Sequence, residues 1–270
     1  MKDKMRGKRF FLLAVTLVLA TVLGTAGVSY AIINGEPDGD RHPYVGAANN
    51  GVDFCSGVAI SPCLFVTAAH CFEYSGERVL VTFDPEPFAP GKRKPRYFTG
   101  VWYRHPDFCL GCGPGLEFDT NDVAVVVLDR PVFLPEYAQL PTEGLVDTLV
   151  MGTEVTIVGY GAQYFDTGGG PREPGYLLTR YYAPSSLVAS KQVNSDEYIK
   201  LTQNPGQGKG AICFGDSGGP DLLEEEGTAT ILAVNSYVAN ANCTGVAYSN
   251  RIDTRSVLDF ILSFFGKAKK

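Results

Sequence analysis

Three short segments combine residue types that can act together in nucleophilic catalysis. His70 lies in TAAHC, Asp122 begins the apolar stretch DVAVVVL, and Ser217 lies between glycines in GDSGGP. A serine hydroxyl is a weak nucleophile at neutral pH, but a histidine within hydrogen-bond reach takes its proton during attack and returns it to the leaving amine. A buried carboxylate on the other ring nitrogen fixes the tautomer and stabilises the imidazolium. The three residues therefore predict acyl transfer by an activated serine.

The glycines around Ser217 add to this prediction. Glycine lets the backbone adopt unusual dihedral angles and approach a substrate closely. The hydroxyl and the neighbouring amides can then point at one place, where the amides hold the developing oxyanion; loss of one such donor costs roughly 3 kcal/mol. A lone His, Asp or Ser would carry little information, but the chain order His, Asp, Ser matches one established order of such triads.

Further segments extend the pattern over nearly the whole chain after residue 31. They are IINGEP (32–37), FCSG (54–57), TAAHC (67–71), NDVAV (121–125), GYG (159–161) and GDSGGP (215–220), followed by a C-terminal helical pattern. With these segments the chain resembles the trypsin/chymotrypsin family of serine endopeptidases. The resemblance implies an all-β fold with two six-stranded antiparallel β-barrels packed around a catalytic cleft and a C-terminal helix.

The resemblance also implies roles for individual residues. His70 would be the general base, Asp122 the residue that orients it, and Ser217 the nucleophile. The amides of Gly215 and Ser217 would form the oxyanion hole. The implied reaction is peptide-bond hydrolysis through an acyl-enzyme intermediate, with no cofactor and no metal. The expected partners are protein or peptide substrates and protein inhibitors of proteases, and the expected state is a monomer.

The start of the matching region carries a separate expectation. In this family a freshly cut amino terminus folds inward, and its ammonium pairs with the aspartate that precedes the nucleophile. Here that pair would be Ile32 and Asp216. A buried carboxylate beside an amine is reasonable only as an ion pair, so the two residues explain each other.

The pocket for the residue before the cut bond can also be located by resemblance. Its floor lies six residues before the nucleophile, at Ala211, which cannot offset the desolvation of a buried cation as an aspartate would. Val238 stands where the family has glycine, so a narrowed pocket and a small or medium apolar residue are expected. The alternatives are a preference for large apolar residues, if Val238 points aside, and a catalytically silent binding homologue. The predicted pocket comprises Ala211, Ile212, Phe214, Ser236, Tyr237 and Val238.

In an exported protein, the seven cysteines are interpreted first as disulfide partners, with at least one left free or paired with another chain. The resemblance implies that Cys55 pairs with Cys71 and Cys213 with Cys243. The other three do not follow the common family pattern. Cys109 and Cys112 could close a local loop and leave Cys63 over, or Cys63 could pair with one of them; a zinc site at Cys109 and Cys112 has no second CxxC to complete it.

The first 31 residues are patterned like a secretory signal. A basic start precedes an uncharged, mostly apolar run from Phe10 to Leu23, and small residues surround Ala31. This run of 14 residues is shorter than the roughly 20 that a membrane span requires. We therefore expect cleavage after Ala31 and secretion, with a retained anchor as the alternative. Cleavage after Ala26 would instead leave a propeptide, Gly27 to Ala31.

The net charge of the chain bears on which partners it can bind. The formal net charge is −6, and removal of residues 1–31 takes away five basic residues and one acidic residue, so it becomes −10. An acidic domain disfavours binding to nucleic acid and to anionic membranes. We expect neither partner after the signal is removed.

The resemblance implies one peptidase domain over 32–270 that positions these residues, with its two barrels meeting near 140–150. Short runs rich in Val, Ile and Tyr, flanked by turn residues, predict strands. Glu224 to Glu226 predict a solvated hairpin tip. A helix begins after Asp253 or Thr254, which can cap it, and ends at Gly266. Its expected apolar face is Val257, Leu258, Ile261, Leu262 and Phe265. The clearest strand runs are 79–83, 123–128, 155–160, 176–182 and 230–238.

Overall fold

The strands close into two barrels, one after the other along the chain. The computed structural model describes residues 32–266 except 88–90, 92–93, 113–118, 167–172 and 190–195. The predicted signal 1–31, with both of its cleavage points, lies outside the described residues. The predicted fold class, two six-stranded antiparallel barrels with a C-terminal helix, is confirmed.

The first barrel is built from strands rich in β-branched and aromatic residues, which suit a pleated, buried surface. A two-residue strand, β1 (Glu36–Pro37), precedes it. The barrel strands are β2 (Val45–Asn49), β3 (Phe54–Ser61), β4 (Leu64–Thr67), β5 (Arg78–Thr82), β6 (Tyr97–Arg104) and β7 (Ala124–Leu128). They close in the order β2-β3-β4-β7-β6-β5. Phe65 and Trp102 are fully buried in its core.

The second barrel follows a connection, 129–153, that contains the short helix α1 (Leu145–Thr148). Its strands are β8 (Glu154–Gly159), β11 (Tyr181–Ala189), β12 (Tyr198–Gln203), β13 (Pro220–Glu225), β14 (Thr228–Val238) and β15 (Gly245–Arg251). They pair in the order β11-β12-β15-β14-β13-β8, and β8 pairs back with β11 to close the barrel. A separate hairpin, β9 (Tyr164–Asp166) with β10 (Glu173–Gly175), lies outside it. Strand β1 adds to the edge of β11.

Four of the five predicted strand runs coincide with β5, β7, β8 and β14 to within a residue or two. The prediction of a strand over 176–182 is wrong for its first five residues, because β11 begins at Tyr181. Leu178 has a φ of 52°, which breaks an extended strand. The backbone amide and carbonyl of Arg180 bond to Pro85 and Asp38 instead.

The C-terminal helix α2 (Arg255–Leu262) buries Val257, Leu258 and Ile261 as expected. It differs from the prediction at both ends. Thr254 is the N-cap but makes no side-chain cap bond, and the carboxylate of Asp253 accepts from Val146 N and from a guanidinium. Because the helix ends at Leu262, the expected apolar face is wrong beyond Ile261: Leu262 and Phe265 are exposed and Phe264 is buried.

No helix in the described part of the chain has the length and apolar character needed to cross a bilayer. The predicted hairpin tip is solvated at Glu225 and Glu226. Glu224 is exposed as well, and its carboxylate also contacts His42 and the Thr156 hydroxyl.

Candidate active site

His70 and Asp122 are brought together by the pairing of two strands. His70 lies in a 3-10 turn directly after β4, and Asp122 lies just before β7. These strands pair with Thr67 opposite Ala124, so their ends meet. The Nδ1 of His70 lies 2.7 Å from Oδ2 of Asp122, and the His70 backbone N donates to Oδ1 at 2.9 Å. The carboxylate thus fixes both the ring and its main chain.

Burial and the interaction between these two groups act in opposite directions on their pKa values. Asp122 is fully buried, while 24% of the His70 side chain is exposed. Burial alone would lower the pKa of His70, but the charge and hydrogen bond of Asp122 outweigh it and raise that pKa. Burial alone would raise the pKa of Asp122, but His70 and a 2.5 Å hydrogen bond from the Ser236 hydroxyl lower it. Each group therefore stabilises the ionised form of the other.

Ser217 reaches the same place from the second barrel. It lies in the loop before β13, and its carbonyl accepts from Ser56 N at 2.9 Å across the barrel boundary. Ser217 and His70 line one cavity of about 260 Å³. No hydrogen bond within the described part of the chain uses the amide of Gly215 or Ser217. Both amides are thus available to an acceptor in the cleft.

The glycine after the serine permits close contact between the barrels. Gly218 has a φ of 76°, a conformation that favours glycine. A Cβ there would lie 2.1 Å from Thr67 Oγ1 and 2.6 Å from Ala68 N. Any side chain at 218 would push the serine loop away from the segment that carries His70.

Apart from the catalytic candidates His70 and Ser217, the cavity and the predicted pocket differ in three residues: Ala211, Cys213 and Asn235. Five of the six predicted residues line it, and Ala211 does not. Ala211 is buried, and both of its backbone groups bond to Ile33 in an antiparallel bridge. Asn235 lines the cavity and was not predicted; its amide nitrogen donates to Asp216 O at 3.1 Å. The full lining is His70, Ile212, Cys213, Phe214, Ser217, Asn235, Ser236, Tyr237 and Val238.

Asp216 is fully buried beside this cavity. Its two carboxylate oxygens accept from Gly161 N and Cys213 N, each at 2.8 Å. Burial raises the pKa of Asp216 to about 7, although these two amides partly offset the effect. A Cβ at Gly161 would lie 2.5 Å from the carboxylate carbon. This close approach is the physical reason for the GYG segment.

Ile32 lies beside the segment that precedes the serine loop, near Gly210 and Ala211. Its side chain is fully buried, and the next residue, Ile33, pairs with Ala211. Ile32 has a φ of 45°, which is an unfavourable conformation for a β-branched residue. Ile32, the residue at which the sequence predicts a new amino terminus, is therefore both buried and conformationally strained.

Three disulfides are present, which confirms that the cysteines form disulfide bonds. Cys55 bonds to Cys71 beside His70, with an S–S distance of 2.11 Å. Cys213 bonds to Cys243 at 2.00 Å and joins the serine loop to the loop after β14. Cys109 bonds to Cys112. All seven cysteines lie in described residues, and Cys63 is the one without a disulfide there.

One further acid lies beside the pair. Ligand atoms of His70, Asp119 and Asp122 all lie within 4.8 Å of one another, a spacing that could hold a metal ion. His70 and Asp122 already satisfy each other by a hydrogen bond. Sequence reasoning missed Asp119, and no motif marks it, because its position beside His70 depends on how the segment before β7 folds back.

Comparisons with known proteins agree with this geometry. The family model described as Trypsin matches residues 32–261. Brachyurin of Leptuca pugilator is 29% identical over 191 residues, which is 70% of this chain and 78% of brachyurin. Coagulation factor XII of Cavia porcellus is 27% identical over 214 residues, which is 73% of this chain and only 34% of factor XII.

Solved structures show the same fold. A structure titled HL collagenase matches with a TM-score of 0.66 and 19% identity, covering 87% of this chain and 98% of that one. Human heparin binding protein matches with a TM-score of 0.62 and 20% identity, covering 86% and 96%. The family match spans most of the chain and includes every segment that builds the site. The chain therefore belongs to the Trypsin family of serine proteases.

Proposed function

We propose that this chain is a secreted serine endopeptidase that hydrolyses peptide bonds through an acyl-enzyme intermediate. One observation carries the proposal: the His70 ring lies 2.7 Å from a fully buried Asp122 and faces the cavity that Ser217 also lines. A buried carboxylate that fixes an imidazole beside a serine hydroxyl is the arrangement that activates a serine.

In the first half of the reaction, Ser217 Oγ attacks the carbonyl carbon of the scissile peptide. The Nε2 of His70 takes the hydroxyl proton, and the carbonyl oxygen becomes an oxyanion. The amides of Gly215 and Ser217, for which no hydrogen bond to a described residue is found, would receive it. His70 then gives its proton to the leaving amine, the C–N bond breaks, and the acyl group remains on Ser217.

In the second half, water attacks the acyl-enzyme and His70 takes one of its protons. The ester bond to Ser217 breaks, and the serine recovers its proton as the acid product leaves. Asp122 stays ionised throughout, because the Ser236 hydroxyl and the His70 main-chain amide both donate to it. No cofactor or metal takes part in these steps.

For the residue before the cut bond we propose a small or medium apolar side chain. The cavity lining is mostly apolar, and Ile212 and Val238 both border it. Its polar lining side chains include Asn235, Ser236 and Tyr237, which are neutral. No acidic side chain of the described residues lines it, so a buried cation would lack a counter-charge.

We also propose that a cut between Ala31 and Ile32 completes the site. The cut would free an ammonium at Ile32 and remove the strain at its φ of 45°. Asp216 is the buried acid expected to receive that ammonium, and its pKa of about 7 in the uncut chain reflects a carboxylate with amide donors but no cation. The resulting ion pair would fix the loop that carries Gly215 and Ser217.

Export belongs to the same proposal. Residues 1–31 would be the signal, residues 32–270 the peptidase domain, and the mature protein a monomer that meets protein substrates and protein inhibitors outside the cell. Three disulfides are in keeping with an oxidising compartment.

Labelling with a peptidyl phosphonate diester tests the function directly. This reagent forms a covalent bond only with an activated serine. We expect stoichiometric labelling of the protein that starts at Ile32, and none in Ser217→Ala or His70→Gln. The Ser263→Ala variant is the matched control, because the exposed Ser263 hydroxyl donates to Phe260 O at the end of α2 and does not line the cavity. Equal labelling of Ser217→Ala and the unaltered protein would contradict the proposal, and a folded protein that never reacts would indicate a silent binding homologue.

A further inference from the structure

A second carboxylate faces the His70 imidazole. Asp119 is partly exposed, and its carboxylate lies within 4.8 Å of ligand atoms of both His70 and Asp122. It makes no hydrogen bond to the imidazole within the described part of the chain. Its effect on the ring is therefore electrostatic, exerted through space.

Asp119 is held in place from two directions. Gly111 N donates to its Oδ1 at 2.8 Å, and Gly111 lies within the turn that the Cys109–Cys112 disulfide closes. The Tyr198 hydroxyl donates to the Asp119 carbonyl at 2.5 Å. The turn and the aspartate segment are also tied by paired backbone bonds between Cys109 and Thr120, at 3.0 and 3.2 Å. The CLGC segment (109–112) thus holds Asp119 in place, which is a structural role outside the His, Asp and Ser motifs.

This placement is electrostatically unfavourable for Asp119 itself. Burial and the nearby charge of Asp122 raise its pKa, although the Gly111 amide and His70 act in the opposite direction. The net effect is a raised pKa, so the ionised form of Asp119 is less favourable here than in solvent and its position is not explained by its own stability. The group that benefits is His70, which is stabilised in its protonated form by any negative charge nearby.

We propose that Asp119 is a positioning residue of this active site, whose negative charge stabilises the imidazolium of His70 while the Cys109–Cys112 turn holds it there. The proposal rests on the proposed function for its effect on rate. Its effect on the imidazole is independent of whether the chain cleaves peptides.

Other charged groups near the imidazole also contribute to the electrostatic potential at His70. Asp122 is the primary partner. Asp53, Glu73 and Arg104 line the adjoining groove of about 330 Å³ that His70 also borders. Arg104 donates to the Glu73 carbonyl at 3.3 Å and stacks on Phe108. Across the cleft, Glu197 accepts from the backbone of the residue before Asp122, at 3.1 Å.

The test is an NMR titration of the imidazole in the Asp119→Asn variant of the protein that starts at Ile32. The chain has three histidines, so the His70 signal can be assigned by its loss in His70→Gln. A unit charge about 5 Å away across a water-like dielectric should change the pKa of His70 by about 0.5. We expect Asp119→Asn to lower that pKa by this amount. The same variant should move the acid limb of kcat/KM equally and reduce its plateau about 3-fold.

Three further variants sharpen the result. Asp119→Glu should recover most of the pKa. The double variant Cys109→Ser with Cys112→Ser should lower it in the same direction but less. Glu225→Gln, which removes an exposed acid at the β13–β14 hairpin, should change neither the pKa nor the rate.

The possible failures are distinguishable. An unchanged His70 pKa in Asp119→Asn, with normal hydrolysis, would overturn this inference and leave the proposed function intact. A lowered pKa in a protein that hydrolyses no peptide would support the inference and contradict the proposed function. An unchanged pKa in the double cysteine variant would overturn the role of the turn.

Discussion

The pKa of Asp216 before and after a cut at Ile32 gives the sharpest test of the proposed activation. In the uncut chain, burial raises the pKa of Asp216 to about 7 from its ordinary 3.8. A carboxyl whose folded pKa is raised stabilises the fold while it is protonated, and this stability is lost as pH rises from the unfolded value through the folded one. Between pH 5 and pH 8, these two pKa values correspond to a loss of about 2–3 kcal/mol.

A free ammonium at Ile32 should remove that loss. Its charge favours the ionised carboxylate, so the pKa of Asp216 falls and the pair remains formed from pH 5 to pH 8. Two proteins should be compared, one starting at Ile32 and one extended by Gly27 to Ala31, both with Ser217→Ala to prevent self-cleavage. With roughly 2–4 °C per kcal/mol for a domain of this size, the Tm difference should widen by about 5–10 °C between pH 5 and pH 8.

Calorimetry at four pH values gives the measurement, and the design cancels the other titrating groups. Asp221 also has a pKa raised to about 7 by burial, but it is present in both proteins and drops out of the difference. Asp216→Asn in both proteins is the matched control and should make the widening vanish. Parallel curves of Tm against pH for the two unaltered proteins would refute the ion pair.

Three other outcomes follow from the same contacts. Asp122→Asn should lower kcat about 10⁴-fold at neutral pH, because the amide favours the wrong tautomer; activity within 10-fold of the original would contradict the assigned orientation. Val238→Gly should raise kcat/KM for Phe relative to Ala anilides by about 10-fold or more, and an unchanged ratio would mean that Val238 does not narrow the cavity. Asp221→Asn should raise the free energy of unfolding by roughly 1–3 kcal/mol at pH 8 and by much less at pH 4, as measured by urea titration; equal effects at both pH values would contradict a buried, ionised carboxylate.

The candidate catalytic residues could be located from the sequence because each lies in a local motif with few structural alternatives. His70 follows the end of one strand and Asp122 precedes the start of another, and those strands are neighbours in the barrel. The glycines of GDSGGP and GYG mark places where a Cβ would collide with the opposite segment. Because only glycine satisfies such a steric requirement, these positions can be recognised from the sequence without knowing which distant segment packs against them.

Long-range polar contacts could not be predicted in this way. Arg180 is buried and donates to Asp38 at 2.6 Å and to carbonyls of the first barrel, such as Val45 O at 2.8 Å. Asp38 in turn bonds to His42, whose other ring nitrogen lies 3.2 Å from Glu224. These partners are separated by 142 and 182 residues for Arg180–Asp38 and His42–Glu224. The contacts of Arg180 in this cluster also explain why residues 176–180 do not form the predicted strand.

The interior of the second barrel shows a different limit. Asp221 of β13 is fully buried, and neither of its carboxylate oxygens has a hydrogen-bond partner among the described residues. Asp216 is equally buried, but Gly161 and Cys213 donate to it. Burial penalises both carboxylates above pH 7, and cleavage at Ile32 can relieve only the one that the new terminus reaches. The stability of the mature protein at alkaline pH is therefore expected to be limited by Asp221 rather than by Asp216.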